Sequence, residues 1–461
     1  VMGKPIQHDM ENNVEKVLHA LSSTSSKLEK LAILRAEVGN TLLRDFFKLV
    51  YEPTLNFYIR DTPSPRVIGI KDIDEALLGF FIETLATRQV TGGAAKACLA
   101  EVLSEYNLAT QTLVERILAR DARCGVSESA LSKVWPNLIT KVPYQRCETE
   151  GNANFDKWDW NLNVKHLCQM KADGMFVNII KKQDGITFMT RGGNVFPVSA
   201  FPTLAWHVND DLPLNHVTHG ELVVYQDGKA LPRTKSNGIL NSALQGAPID
   251  TVYTVKALVW DCVEVGAWEL GETPVCYGER LERLKQNLHS GSLVALIETH
   301  EVESIAEAKA LALNWMKLGY EGAVVKNVSG GWKDHTSPNQ VKIKACLELE
   351  LRIVGMLDGK ATGKNADTFG SLDMVSEDEK LRVAVTGFSD ELRQYIFDNW
   401  HEEFYGQVCT VKANQLLMPS KSNKHYSLFL PSYVEIRHDR KEADDIERII
   451  SVFKPYQPDL K

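Results

Sequence analysis

The sequence predicts a multidomain chain with an all-α N-terminal region, an α+β centre built on antiparallel strands, and a small C-terminal β-barrel. Three features of the pattern carry this. Apolar residues at three and four spacing dominate residues 10–138. Short strand-like runs separated by turns dominate 165–346. Further short strands, punctuated by Gly359, Gly363, Gly370, Gly387 and Gly406, fill 347–461. A length of 461 residues suits roughly two to four domains, each with its own core.

The helical region repeats its apolar residues as Val14-Val17-Leu18-Leu21 and again as Leu99-Val102-Leu103. Thr91-Gly92-Gly93 is a turn that leads into a helical run from Ala94. The backbone N–H groups of such a helix start can receive an anion, and a plain loop between packed helices fits equally well. Arg116, Arg120 and Arg123 follow at four and three spacing, predicting one shared face on a helix that ends near Gly125. Glu115 and Asp121 fall off that stripe. The face suits a phosphate backbone or simply solvent.

The texture changes after Pro136. Strand-like runs cover Leu167 to Lys171, Ile186 to Arg191, Glu221 to Tyr225, Val252 to Val263, Ala323 to Lys326 and Val341 to Cys346. A helical segment from Glu303 to Leu318 interrupts them. The expected division is 1–138, 139–346 and 347–461, the last a barrel of the oligonucleotide-binding kind, or OB-fold.

Composition narrows the class but not the function. With 44% hydrophobic and 24% charged residues, the chain reads as a globular protein. No apolar stretch reaches the roughly 18 residues that span a bilayer, so no membrane is expected. Val1-Met2-Gly3-Lys4 has no apolar core after it, so no secretory signal is expected. The 8 cysteines form no Cys-x-x-Cys pair, which argues against a structural zinc module and suits a reducing cytoplasm. A net charge of −8 means that any polyanion partner needs basic residues gathered on one surface.

The chemistry is concentrated in an ordered set of short segments. Lys171-Ala172-Asp173-Gly174 ends a strand in a glycine turn. Alone, it fits an ordinary charged turn. Arg191-Gly192-Gly193-Asn194, His219-Gly220-Glu221, Trp260-Asp261 and Glu321-Gly322 follow, the last leading into Ala323-Val324-Val325-Lys326. Lys342-Ile343-Lys344 places two lysines on one face of a strand. Two like charges there repel, and a polyphosphate between them would remove the objection.

Taken in order, these segments resemble the motifs of the covalent nucleotidyltransferases: ATP-dependent DNA ligases, RNA ligases and mRNA capping enzymes. The resemblance extends over most of the chain. Thr87-Arg88-Gln89-Val90-Thr91-Gly92, Arg120-Asp121-Ala122-Arg123-Cys124-Gly125 and Lys133-Val134-Trp135-Pro136 look like the helical DNA-binding domain of ATP-dependent DNA ligases of the bacteriophage type. Phe429-Leu430-Pro431 and Ile436-Arg437-His438-Asp439-Arg440 look like the last ligase motif.

The resemblance implies an adenylating enzyme that uses ATP and Mg²⁺ and acts on nicked double-stranded DNA. It implies a monomer in the cytoplasm, the host's if the chain is phage-encoded. Lys171 would be the nucleophile. Gln169, Arg191, Glu221, Trp260, Glu321, Val324, Lys326, Lys342, Lys344 and Arg437 would bind the nucleotide. Trp260 and Val324 would flank adenine, although Trp260 also fits a core aromatic. Glu221 and Glu321 would serve the metal. Arg116, Arg120, Arg123, Gly92, Gly93 and Arg191 would meet DNA. RNA ligase, capping enzyme and a nick-binding relative without catalysis are the alternatives.

A lysine suits nucleotidyl transfer once neutral, because its phosphoramidate is a reactive donor. An ordinary lysine has a pKa near 10.4, so freeing the amine at neutral pH costs about 4 kcal/mol. Neighbouring cations lower that cost. One departure stands out: the family pattern has an arginine five residues after the lysine, and this chain has Phe176.

Overall fold

Helices fill the N-terminal part of the chain because its apolar residues repeat at helical spacing and its polar residues cap. In the computed structural model, which describes residues 13–64, 67–161, 164–344, 347–359, 363–454, 457 and 460, these helices are α1 (Asn13–Ser22), α2 (Lys27–Ala36), α3 (Thr41–Tyr51), α4 (Glu75–Phe80), α5 (Gly92–Leu103), α6 (Leu108–Ala119) and α7 (Glu128–Ser132). Asn40 caps α3 by accepting from the Leu43 N–H, and Asn107 caps α6 by accepting from Thr110. Leu18, Phe46, Phe47, Leu77, Phe81, Leu99, Leu113 and Ile117 are buried together as one core. Each fully buried phenylalanine contributes about 2–3 kcal/mol.

The three arginines do not share a helix face. α6 stops at Ala119 because Arg120 takes a left-handed conformation, φ 56°, as its C-cap. Arg123 is left-handed too, φ 51°. The Arg120 guanidinium turns inward, donating to the Leu49 carbonyl at 2.7 Å and to that of Glu52, and lies over the Phe57 ring. Arg116 donates to the Ala122 carbonyl at 3.2 Å. Only Arg123 of the three is exposed. Spacing alone could not reveal this, because it assumed a helix running through residue 123.

The chain divides into two compact units. The first holds residues up to 144, with 174–273 and 280–295. The second holds 145–173, 274–279 and 296 onward. The strands used below are, in chain order, β1 (Arg146–Thr149), β2 (His166–Met170), β3 (Met175–Lys182), β4 (Gly185–Thr190), β5 (His216–Gln226), β6 (Tyr253–Glu264), β7 (Val294–Leu296), β8 (Thr299–Val302), β9 (Gly322–Lys326) and β10 (Thr336–Lys344).

In the first unit, α8 (Pro202–Asp211) and α9 (Arg233–Leu244) accompany a sheet of order β4-β3-β5-β6-β7. In the second, the order is β1-β10-β9-β2-β8, with β1 parallel to β10 and β9 antiparallel to both β2 and β10. α10 (Ile305–Lys317) packs on β2, β9 and β10. Its Ala308, Ala312, Trp315 and Met316 are buried, as are Cys168, Ala323, Val325, Val341 and Ile343 of the strands. Period-two alternation then sends the intervening polar residues to the opposite face.

The C-terminal residues form β11 (Leu347–Leu357), β12 (Ser371–Val375), β13 (Arg382–Val385), β14 (Val408–Ala413) and β15 (Ser432–Arg437), with α11 (Asp390–Asp398) and α12 (Ile446–Phe453). The sheet order is β13-β12-β11-β14-β15. Where a barrel was expected, the described residues give an open sheet whose two edges meet at one bridge, Thr386 to Ser432. The whole is a multidomain mixed α/β chain. No described helix is long and apolar enough to cross a membrane. The seven described cysteines are free, and Cys346 lies outside the described residues.

Candidate active site

Six of the residues singled out in the sequence share one face of the β10-β9-β2 sheet. Val324 stands opposite Gln169 on one side and Lys342 on the other. One step along, the Lys171 N–H donates to the Gly322 carbonyl at 2.9 Å, and Gly322 pairs with Lys344. Lys326 follows Val324 by two residues and so faces the same side. The face therefore carries Lys171, Gln169, Val324, Lys326, Lys342 and Lys344.

Glu321 organises its centre. Oε2 lies 2.5 Å from Lys171 Nζ, and Oε1 lies 2.8 Å from Lys344 Nζ. The Glu321 side chain is only 6% exposed. Burial alone would push its carboxyl up, but Lys171 and Lys344 outweigh that and hold it below the ordinary carboxylate value. Of the two lysines on β10, Lys344 is thus answered by a carboxylate of the protein. Gly322 is what lets Glu321 sit here. Its φ is +138°, and a Cβ would lie 2.0 Å from the Ile343 carbonyl oxygen.

Gln169 is buried, its Nε2 donating to the Tyr277 hydroxyl at 2.9 Å and to Thr299 Oγ1 at 3.1 Å. Lys326 Nζ lies 4.5 Å from the centre of the Tyr277 ring. Tyr277 was not foreseen: a single tyrosine at the start of a helix, Tyr277–Lys285, carries no signal of its own.

The first unit gathers a second group. Glu221 on β5 accepts from the Gly174 N–H at 2.7 Å, fixing the turn that ends the Lys171 motif. Gly174 is needed there because a Cβ would lie 2.5 Å from the Leu222 carbonyl oxygen. Phe176 stands directly opposite Glu221 across β3 and β5. Its ring meets those of Tyr144 at 5.0 Å, Trp260 at 6.0 Å and His219 at 6.2 Å between centroids. The β5–β6 register slips by one between His219 and Gly220, so Trp260 is the extra, bulged residue of β6, half-buried. Bulges of this kind re-aim a side chain.

Arg191 sits in a tight turn closed by Thr190 and Asn194, and its guanidinium lies 4.1 Å from the centre of the Tyr144 ring. A cation–π contact of this geometry orients the cation. The position where the family pattern has an arginine is therefore filled by a ring of an aromatic cluster that also holds a different arginine. Asp261 and Arg280 form a buried pair, with Nε–Oδ1 at 2.8 Å and Nη2–Oδ2 at 3.0 Å. Neither Tyr144 nor Arg280 was legible, because each acts through a partner distant in sequence.

Arg437 finds its partners on the C-terminal sheet. It bonds Glu350 at 2.9 Å and Asp439 through two nitrogens. The guanidinium holds the Asp439 carboxyl down, to about 2. Gly92 and Gly93 are exposed at the start of α5, whose cap Thr91 makes no side-chain bond to the helix.

A family model described as ATP dependent DNA ligase domain matches residues 157–344. The DNA ligase of Enterobacteria phage T4 is 27% identical over 486 residues, covering 95% of this chain and 98% of its own length. The DNA ligase of African swine fever virus (isolate Pig/Kenya/KEN-50/1950) is 34% identical over 100 residues, 20% of this chain and 23% of its own. A solved structure named Pmar-Lig_Pre. shares the fold, with a TM-score of 0.63 at 20% identity over 93% of this chain and 100% of its own.

Proposed function

We infer that this chain is an ATP-dependent DNA ligase and that Lys171 is the residue through which it seals 3′-hydroxyl/5′-phosphate nicks in duplex DNA. The observation that carries this is the position of Lys171. It ends a strand at the centre of a face with three further lysines, held by Glu321 and beside Lys344.

Three transfers make up the reaction. The Lys171 amine attacks the α-phosphate of ATP; the bond to the β-phosphate breaks, and pyrophosphate leaves. The AMP then passes to the nick 5′-phosphate, restoring the amine. The 3′-hydroxyl next attacks that phosphate, forming the phosphodiester and releasing AMP. Throughout, Lys326, Lys342 and Lys344 offer positive charge to phosphate oxygens. Glu321 fixes where the Lys171 amine stands before it loses its proton.

A triphosphate bound on this lysine-rich face would supply the oxygen ligands that Mg²⁺ requires. Glu321 and Glu221 are the carboxylates offered by the motif order, and the ion would neutralise phosphate charge when bound. Gln169, Val324 and Trp260 are assigned to adenine on the same motif order. Arg191, aimed by Tyr144, supplies a phosphate-binding guanidinium in place of the one absent at Phe176. Residues 1–138 are read as a helical DNA-binding domain that uses Arg123 and the Gly92-Gly93 turn, 139–346 as the adenylation domain, and 347–461 as an OB-fold that brings Arg437 to the pyrophosphate.

Incubation with α-labelled ATP and Mg²⁺ tests the reading, followed by sealing assays on nicked duplexes with DNA or RNA strands. An acid-labile protein–AMP adduct and sealing of DNA ends are expected. No adduct would sink the enzyme reading, and joining of RNA ends alone would move the chain to the RNA ligases.

A further inference from the structure

A second cluster of chemistry-bearing side chains lies in the first unit and takes no part in the nucleotidyl transfer. α8 carries His207 and Asp211, four residues apart and so on one helix face. His289 and Ser292 come from the segment just before the edge strand β7. Asp211 is 1% exposed. Its Oδ1 lies 3.0 Å from His289 Nδ1, and its Oδ2 accepts from the Ser292 hydroxyl. Ser292 Oγ lies 3.3 Å from His207 Nδ1. One ligand atom from each of His207, Asp211 and His289 lies within 4.8 Å of the other two.

We propose that His207, Asp211 and His289 bind a divalent transition ion of the zinc class. A buried carboxylate is costly unless a positive charge answers it. Arg280 does so for Asp261. At Asp211 the partners among the described residues are two neutral-capable groups, an imidazole and a hydroxyl. A metal ion would supply the missing charge. Two imidazoles and one carboxylate form a donor set that selects Zn²⁺ and its neighbours over Mg²⁺, which prefers oxygen alone. Three protein ligands leave a fourth position for water or Ser292.

The geometry needs little adjustment. Zinc–ligand bonds of about 2.0–2.1 Å place tetrahedral ligand atoms roughly 3.4 Å apart. A pair at the 4.8 Å limit must therefore close by about 1.4 Å. The His289 side chain has room to shift, being 59% exposed on a surface segment. The same exposure gives the ion its way in. Once bound, the ion would tie α8 to the chain entering the edge of the Glu221 sheet.

The test uses the full chain without a histidine tag, stripped with chelator and titrated with Zn²⁺ in excess Mg²⁺. One equivalent of Zn²⁺ is expected to bind and to raise the melting midpoint by a few degrees. Co²⁺ in its place should give visible d–d bands that Zn²⁺ bleaches. His289→Ala removes an exposed ligand and should keep the fold; both it and His207→Asn should weaken binding by about tenfold or more. Failure to retain Zn²⁺, or equal retention by the His207→Asn/His289→Ala double variant, would overturn the proposal and leave a plain hydrogen-bonded cluster.

Discussion

On the sheet that carries Lys171, a carboxylate with 6% of its side chain exposed holds two ammonium groups. On the sheet that carries Glu221, rings hold a guanidinium: Arg191 lies over Tyr144, which meets Phe176 edge to face. The first arrangement is electrostatic, strong at short range and dependent on the charge state of its members. The second depends on shape and on the ring quadrupole, and is weaker per contact. A nucleophile must be fixed to within a fraction of an ångström, and the ion pairs do that. A phosphate-binding arginine needs only to be aimed, and rings suffice.

This contrast can be broken by removing one member at a time. Lys171→Ala has the largest effect, cutting adenylate formation by roughly 10⁴-fold or more, while nick binding in a mobility-shift assay stays largely intact. Sealing by this variant on unadenylated nicks would refute the assignment.

Glu321→Gln comes next. It leaves Lys171 and Lys344 facing each other without a counter-charge. The lysine side chains keep 22% and 24% exposure, so the stability loss is about 2 kcal/mol, below the 3–5 kcal/mol of a fully buried pair. Because the folded Glu321 carboxyl lies below its ordinary value of 4.5, its contribution is complete above that pH and fades as pH falls through the folded value. Denaturant melts of the variant should therefore show a flatter acid limb than the parent; identical limbs would remove Glu321 from the account.

The helical region separates two arginines that look alike in sequence. Arg120→Ala removes two bonds to buried carbonyls and should cost about 2 kcal/mol in a urea melt, with little change in the salt dependence of nick binding. Arg123→Ala should do the reverse, lowering the slope of log affinity against log salt by about 0.9. Equal salt slopes for both would return Arg120 to the DNA surface.

The smallest effect belongs to Tyr144→Leu, which keeps apolar volume but removes the ring beneath Arg191. A loss of 0.5–1 kcal/mol predicts sealing about twofold to fivefold slower. Adenylation by the isolated enzyme should move less. If Arg191→Ala is no worse than Tyr144→Leu, the ring acts on something other than Arg191.

What could be read from the sequence follows the same division. Lys342 and Lys344 were legible because like charges at period two on a strand demand an explanation, and Lys171 and Glu321 because of their place in the ordered segments. β9 lies where the strand-like run placed it, whereas β10 starts at Thr336, five residues before the run expected from Val341. The helices were legible from apolar spacing, but the end of α6 was not, because Arg120 gives no glycine-like signal for its left-handed turn. The ring cluster was invisible. Tyr144, Phe176 and Trp260 are far apart in sequence; the register of β3, β5 and β6 brings Phe176 and Trp260 together, and Tyr144 joins them from outside the sheet. The pairing of Glu321 with Lys171 and Lys344 was missed for the same reason: it depends on Gly322 admitting a close approach that no pattern announces.

The central claim is that Lys171 carries the nucleotide, and peptide mapping of the adenylated protein tests it most directly. Protein incubated with ATP and Mg²⁺, digested at neutral pH and analysed by mass spectrometry should carry one AMP, on the peptide containing Lys171 and on that side chain. An AMP found on Lys326, Lys342 or Lys344, with Lys171 unmodified, would contradict the account.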